Sequence, residues 1–323
     1  MADLRKMINP LGPSIKVQEE LREHLGYIHQ YSEPSEKLIL RIAKKNEVNI
    51  NQVMITDGAD GALTLIAQSI FKNYIITIPQ PCFHRYKDYP SYFNVKYKLI
   101  KPKDSLLVDE IEVLKTEGDI LLLASPNNPT GFKISNEFLF KALIKFKVVV
   151  LDETLLLTFK GKQNLINNFS NLIIVRSFSK LFGLAGLRIG YIIASNNNIQ
   201  KIKMVSTPFK VNYLAQVAAL SVLNDENYYE HTKDFIKRER NRLYQALNDK
   251  NIKNSDSLCY CLKLNKKQQL KLEEEKVLVQ KDMGFGYGQD KEFLFRLTIG
   301  AVEDNSKLIE ILKEGDNNEQ SPN

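Results

Sequence analysis

A lysine at the end of a strand, with hydroxyls before it and an arginine after it, is the most chemically suggestive feature of this sequence. The stretch reads Arg176-Ser177-Phe178-Ser179-Lys180-Leu181-Phe182-Gly183-Leu184-Ala185-Gly186-Leu187-Arg188-Ile189-Gly190. It follows Leu172-Ile173-Ile174-Val175, whose short length and β-branched content predict a buried strand. Ser177 and Ser179 precede the lysine at alternate positions, and Arg188 follows it among glycines. These groups can hold a phosphate beside an amine, so the expected chemistry is a Schiff base between Lys180 and pyridoxal 5′-phosphate. An isolated Ser-x-Lys is more often part of a surface loop, so the reading depends on matching pieces elsewhere in the chain.

Several such pieces stand at the predicted ends of strands. A strand at 53–56 leads into the turn Asp57-Gly58-Ala59-Asp60-Gly61 and a helix with Leu63, Ile66, Ala67 and Ile70 on one face. A glycine-containing turn entering a helix offers backbone N–H groups and the positive end of the dipole to an anion, although a plain strand-to-helix connection explains the pattern equally well. Phe83, after a strand at 74–78, is placed to stack on a flat heterocycle, a position also common for core aromatics. His84 beside it has no ligand partner nearby, and no metal is expected. The strand at 119–124 ends in Ser125-Pro126-Asn127-Asn128-Pro129-Thr130-Gly131, whose prolines and glycine fix the backbone around Asn128. Asp152 closes the apolar run 148–151, where a carboxylate is costly to desolvate unless it meets a cation or a donor, and a protonated pyridine nitrogen is such a partner. Arg296, in the apolar strand from 293, has the fork geometry suited to a carboxylate.

The elements that must position these residues alternate strand and helix through about residue 206, which predicts an α/β unit with a mainly parallel sheet and ligands at the carboxyl ends of its strands. From about 207 the pattern changes to long helical segments followed by strands at 258–264, 277–281 and 293–299, as in a smaller α+β unit. The expected division is a large cofactor-binding domain at 29–206 and a small domain formed by 1–28 and 207–323. Gly284, Gly286 and Gly288 resemble a nucleotide loop, but a strand follows them, so they are read as a connecting loop. The polar residues 314–323 are expected to form a disordered tail.

With 323 residues, 43% of them hydrophobic and 26% charged, the chain has the make-up of an ordinary soluble globular protein. The net charge of +7 comes from lysines scattered among acids, which argues against nucleic-acid binding and leaves a small anionic ligand consistent. No run reaches the length of a membrane span and the first residues lack a signal-peptide core, so a cytoplasmic location is expected. Cys82, Cys259 and Cys261 are too few for a disulfide framework and lack a second ligand pair for zinc; they are read as small core or strand residues.

Taken with Asn9-Pro10-Leu11-Gly12, Gly58-Ala59-Asp60, Ser125 to Gly131, Asp152-Glu153, Ser177 to Lys180, Gly186-Leu187-Arg188 and Arg296, the chain resembles the fold-type-I PLP-dependent aminotransferases. The resemblance is to the branch containing histidinol-phosphate aminotransferase and threonine-phosphate decarboxylase. It implies that Lys180 binds the cofactor and moves protons, Asp152 keeps the ring nitrogen protonated, Asn128 bonds the ring hydroxyl and Phe83 stacks on the ring. Gly58, Ala59, Asp60, Ser177, Ser179 and Arg188 would hold the phosphate, Arg296 would bind the substrate's carboxylate, and Asn128 would also contact the substrate. Tyr31 would reach the cofactor of a neighbouring subunit, which implies a homodimer. The implied activity is transamination of a small, phosphorylated amino acid.

One position departs from the family pattern, which has Asp-Glu-Ala-Tyr where this chain has Asp152-Glu153-Thr154-Leu155. The missing tyrosine leans towards decarboxylation of threonine phosphate, the alternative activity in cobalamin biosynthesis, whereas Arg296 to Ala301 is more like the aminotransferases. The chain is also short for the family, so part of the usual N-terminal arm is expected to be missing. A catalytically silent, PLP-binding regulatory protein is a further alternative, opposed by the otherwise complete set of cofactor contacts.

Overall fold

Ile120-Leu121-Leu122-Leu123-Ala124, Val149-Val150-Leu151 and Leu172-Ile173-Ile174-Val175 have no polar face, so strands formed from them must be covered on both sides. The computed structural model describes residues 2–102, 107–247, 255–281 and 293–317. Its strands are β1 (Ala2–Asp3), β2 (Val53–Thr56), β3 (Ile76–Pro79), β4 (Tyr97–Ile100), β5 (Ile120–Ala124), β6 (Val148–Asp152), β7 (Leu172–Ser177), β8 (Gly190–Ala194), β9 (Cys259–Leu264), β10 (Val277–Leu278), β11 (Gln280–Lys281) and β12 (Phe293–Thr298). The helices are α1 (Ile15–His24), α2 (Glu36–Asn46), α3 (Gly58–Ile70), α4 (Asp88–Tyr92), α5 (Glu110–Lys115), α6 (Asn136–Lys145), α7 (Asn196–Lys203), α8 (Tyr213–Leu223), α9 (Glu226–Leu247), α10 (Lys266–Glu274) and α11 (Val302–Asn317).

Seven strands form the large sheet in the order β2-β8-β7-β6-β5-β3-β4. The strands from β7 to β4 are parallel, and β8 runs antiparallel to both β7 and β2. Alternation along the strands divides the core into two layers: Leu121, Leu123, Val149, Leu151, Leu172 and Ile174 face one, and Ile120, Leu122, Val150, Ile173 and Val175 the other. Parallel pairing brings the carboxyl ends of β5, β6 and β7 to one edge of the sheet. Asp152 is the last residue of β6, and the segments after β5 and β7 contain Asn128 and Lys180.

A third core joins Ala2, Leu4 and Met7 to residues of β9, β12, α9 and α11, including Leu243, Tyr260, Leu262, Leu297 and Leu308. β1 pairs in parallel with β10, while β11-β12-β9 forms a separate antiparallel sheet, so the strand expected at 277–281 is two short strands in different sheets. Val17 of α1 and Ala215, Ala218, Ala219 and Val222 of α8 pack into a core of the large sheet. α8 buries small and branched side chains on most of its circumference, which this layer covers.

The polar C-terminal segment also departs from expectation. α11 continues through Asn317, so residues 314–317 are helical rather than disordered. Leu308, Ile311 and Leu312 recur at helical spacing and are buried, which anchors that helix. Residues 318–323 and Gly284, Gly286 and Gly288 lie outside the described residues. All three cysteines are buried and free, and no described helix is long and apolar enough to cross a membrane.

Candidate active site

The ends of β5, β6 and β7 meet the start of α3, the N-terminal segment and β12 around a cavity of about 860 Å³. Ala59, Asp60, Phe83, Asn128, Asp152, Ser177, Ser179, Lys180, Arg188 and Arg296 all line it. The sheet therefore gathers groups that lie far apart in sequence, as expected at the carboxyl edge of an open α/β sheet.

Asp152 terminates β6 and is buried. Its Oδ2 accepts a hydrogen bond from the Tyr86 hydroxyl at 2.7 Å and its Oδ1 one from the Thr154 amide at 2.8 Å. Both donors are neutral, and no salt bridge to Asp152 occurs among the described residues. Desolvation raises its carboxyl above the usual range, opposed by the hydrogen bonds from Thr154 and Tyr86. A buried carboxylate in this state retains capacity for a cationic N–H donor.

Lys180 follows β7 and donates from Nζ to the Met7 carbonyl at 2.8 Å. Burial, helped by Arg296 and Arg188, pulls its amine down to about 8, against the opposing pull of Asp60 and Asp152. A substantial neutral fraction at physiological pH suits it to attack an aldehyde.

Gly58 opens α3 with φ of +83°, and a Cβ there would stand 2.9 Å from Arg188 Nη2. The glycine thus lets the guanidinium lie against the helix start, where first-turn N–H groups have no intrahelical acceptor. Arg188 itself has φ of 51° and reaches Asp60 Oδ2 at 3.1 Å. Asp60 Oδ1 in turn accepts from the Tyr89 hydroxyl at 2.7 Å and from Arg85 at 3.3 Å. Ser177 and Ser179 complete this wall, the Ser179 amide donating to Ser177 Oγ at 3.1 Å. Amides, hydroxyls and a guanidinium together form a cradle suited to a phosphate.

Arg296 is buried within β12. Its Nη1 donates to Asn128 Oδ1 at 3.1 Å and its Nη2 to the Arg5 carbonyl at 2.5 Å, while Nε has no partner among the described residues. Because Asn128 accepts through its oxygen, its amide NH₂ remains available as a donor. Phe83 meets Tyr86 edge-on, with ring centroids 5.7 Å apart. Leu155 is buried at the cavity wall, where it belongs to the core of the smaller unit. Tyr31 is not part of this cavity: it is 86% exposed and packs on Phe209 at 4.9 Å.

The sequence reading missed several contributors. Tyr86 lies three residues after Phe83, and i,i+3 spacing in a helical turn puts both on one side, a pattern that could have revealed it. Tyr89 continues the same spacing. Arg5, Lys6 and Met7 come from a segment with no motif of its own, delivered to the cavity by pairing of β1 with β10.

The chemistry of these donors fits pyridoxal 5′-phosphate: an amine of lowered basicity, a buried carboxylate with only neutral donors, and a phosphate cradle that requires glycine at position 58. Residues 11–313 match the family model for aminotransferase class I and II. The chain is 30% identical to histidinol-phosphate aminotransferase 2 of Archaeoglobus fulgidus over 95% of its own length and 90% of that protein. It shares its fold with the histidinol-phosphate aminotransferase from Clostridium acetobutylicum at a TM-score of 0.88 and 24% identity, over 98% of this chain and 100% of that one. L-threonine-O-3-phosphate decarboxylase from Porphyromonas gingivalis matches at a TM-score of 0.82 and 25% identity, over 97% and 99% of the two chains. The expected α/β fold of type I and the expected family are thereby borne out, and this chain belongs to the class I and II aminotransferases, enzymes that depend on pyridoxal 5′-phosphate.

Proposed function

We propose that this enzyme transfers the amino group of a small phosphorylated amino compound, of the histidinol-phosphate type, with its cofactor held on Lys180. The observation that carries the proposal is Asp152: a buried carboxylate, given hydrogen bonds only by neutral donors, lining the same cavity as a lysine of lowered basicity. When bound, pyridoxal phosphate supplies an electron sink for the charge left on the amino-bearing carbon.

The chain's residues then divide the remaining work. Asp152 holds the proton on the ring nitrogen, and Tyr86 fixes the carboxylate's orientation. Ala59, Asp60 and the backbone opened by Gly58 join Ser177, Ser179 and Arg188 around the phosphate. Asn128 would donate to the ring hydroxyl, and Phe83 would cover a ring face. Lys180 would take the proton from the amino-bearing substrate carbon, its neutral amine serving as the base. Arg296 binds the anion next to the reacting carbon, a carboxylate in an amino acid or a phosphate ester in an amino alcohol.

Tyr31 is assigned to a second subunit's site. The exposed Tyr31 and Phe209, which pack on each other, support a homodimer that covers them, which a molar-mass measurement in solution checks. Leu155 favours one second reading, decarboxylation of O-phosphothreonine, because an apolar wall gives the ring hydroxyl no donor from that side.

The test is to mix the cofactor-loaded protein with histidinol phosphate and, separately, with O-phosphothreonine. Conversion of the cofactor to its amino form, reversed by 2-oxoglutarate, is the expected result. Release of carbon dioxide with the cofactor unchanged replaces transamination by the second reading.

A further inference from the structure

Among the described residues, five cationic side chains line the cavity, Arg5, Lys6, Lys180, Arg188 and Arg296, against two carboxylates, Asp60 and Asp152. Four of the five cations are already engaged. Arg188 meets Asp60, Lys180 donates to the Met7 carbonyl, and Arg296 donates to Asn128 and to the Arg5 carbonyl. Arg5 closes a two-point pair with Asp3, at 2.8 and 2.9 Å.

Lys6 differs. Its nearest carboxylate oxygen, Asp3 Oδ2, is 3.9 Å away and already accepts from Arg5. The Lys6 ammonium donates no hydrogen bond among the described residues, and its side chain is 71% exposed at the cavity.

The base from which this side chain swings is fixed on both sides. The Leu4 amide donates to the Leu278 carbonyl at 2.8 Å, and the Thr298 amide donates to the Leu4 carbonyl at 2.9 Å. Beyond Lys6, Asn9 Nδ2 donates to the Leu181 carbonyl at 3.0 Å. Carbonyls on either side of Lys6, those of Arg5 and Met7, accept from Arg296 and Lys180, so its chain position lies between the anion-binding and reacting groups. Among the described residues, the other polar neighbours add no further cation held this loosely. His84 also lines the cavity, but burial lowers its basicity, and Gln280 is neutral.

We propose that Lys6 binds the second anion of a doubly anionic substrate, at a distance from the anion held by Arg296. This rests on the assignment of the cavity to an amino-group donor or acceptor. The second anion is the distal carboxylate of an acidic amino acid or the phosphate of an O-phospho amino acid; both meet an ammonium through charge-assisted hydrogen bonds.

The experiment titrates cofactor-loaded wild type, Lys6→Ala and Lys6→Arg with two ligand pairs, glutamate against glutamine and O-phosphoserine against serine, following the cofactor's absorption to obtain each Kd. Wild type is expected to favour the charged member of at least one pair. Lys6→Ala should reduce that preference about fivefold, as for a partly exposed ion pair, and Lys6→Arg should retain it. Added salt should weaken the wild-type preference more than that of Lys6→Ala.

A Lys6-dependent preference confined to one pair supports the proposal and identifies the anion as carboxylate or phosphate. A preference that Lys6→Ala leaves unchanged in both pairs, or no spectral response to either charged ligand, overturns it. A Lys6-dependent preference without amino transfer keeps the anion site and refutes the transaminase reading.

Discussion

Asp152 and Glu153 are adjacent and both buried, yet they meet opposite surroundings. Successive side chains at a strand end point to opposite sides. Glu153 is bound by Arg176 through Nε at 2.9 Å and Nη2 at 2.7 Å, and also accepts from the Lys162 amide at 2.9 Å. Arg176 is itself completed by Gln163, Asn46 and the Phe159 carbonyl. Among the described residues, Asp152 has only a hydroxyl and an amide. The pair shows how a fold separates its uses of buried charge. A carboxylate with its own guanidinium ties β6 to β7, while its neighbour remains able to bind a cation brought from outside.

Removing each carboxylate tests that contrast most severely. Asp152→Ala should lower amino transfer by about 10³-fold, within the range for loss of a group acting on proton placement, while thermal unfolding stays near that of wild type. Glu153→Ala should do the reverse. It leaves Arg176 buried and unpaired, at a cost of about 3–5 kcal/mol in denaturant unfolding, with turnover per folded molecule largely kept. Should Glu153→Ala abolish turnover at full stability, the division between the two residues would be wrong.

The contrast is sharpened by pH. With the Lys180 amine at about 8, capture of free pyridoxal phosphate by the cofactor-free protein should quicken as pH rises and level off above that value. The neutral amine is the attacking form, so the rate at pH 7 should be about tenfold below the plateau. Stopped-flow absorbance measures this directly, and a flat profile between pH 7 and 9 contradicts it.

Tyr86→Phe is the mildest intervention. It deletes one hydrogen bond to Asp152 and should reduce turnover about fivefold. Because that bond lowers the Asp152 carboxyl against desolvation, its loss raises the carboxyl further. Activity requires the ionised form and falls as pH drops through this titration, so the acid limb of the pH profile should move upward. An unchanged acid limb would assign Tyr86 to packing alone.

Much of this site can be read from the sequence because its main charged residues stand within, at the end of, or just after apolar runs. Asp152 and Lys180 follow strands that must be buried, and burial makes a charged group there conspicuous. What the sequence hides is tertiary. Tyr86 and Tyr89 look like ordinary aromatics until folding places their hydroxyls on Asp152 and Asp60. Lys6 lies in a short, unremarkable N-terminal segment, and only β-pairing with Val277 and Leu278 carries that segment to the cavity. The burial of Val17 of α1 and of the α8 alanines depends on the layer they cover, which position in the chain does not reveal. At the C-terminus, the polar residues after 313 obscure a helix whose buried anchors are Leu308, Ile311 and Leu312.

The most direct test of the account is the identity of the lysine that carries the cofactor. Borohydride reduction of the pyridoxal-phosphate-loaded protein fixes the linkage as a stable secondary amine, and peptide mass mapping then locates it. Label on Lys180, absent from Lys180→Ala, is the predicted result. Stoichiometric label on any other lysine, with Lys180 unmodified, would contradict it.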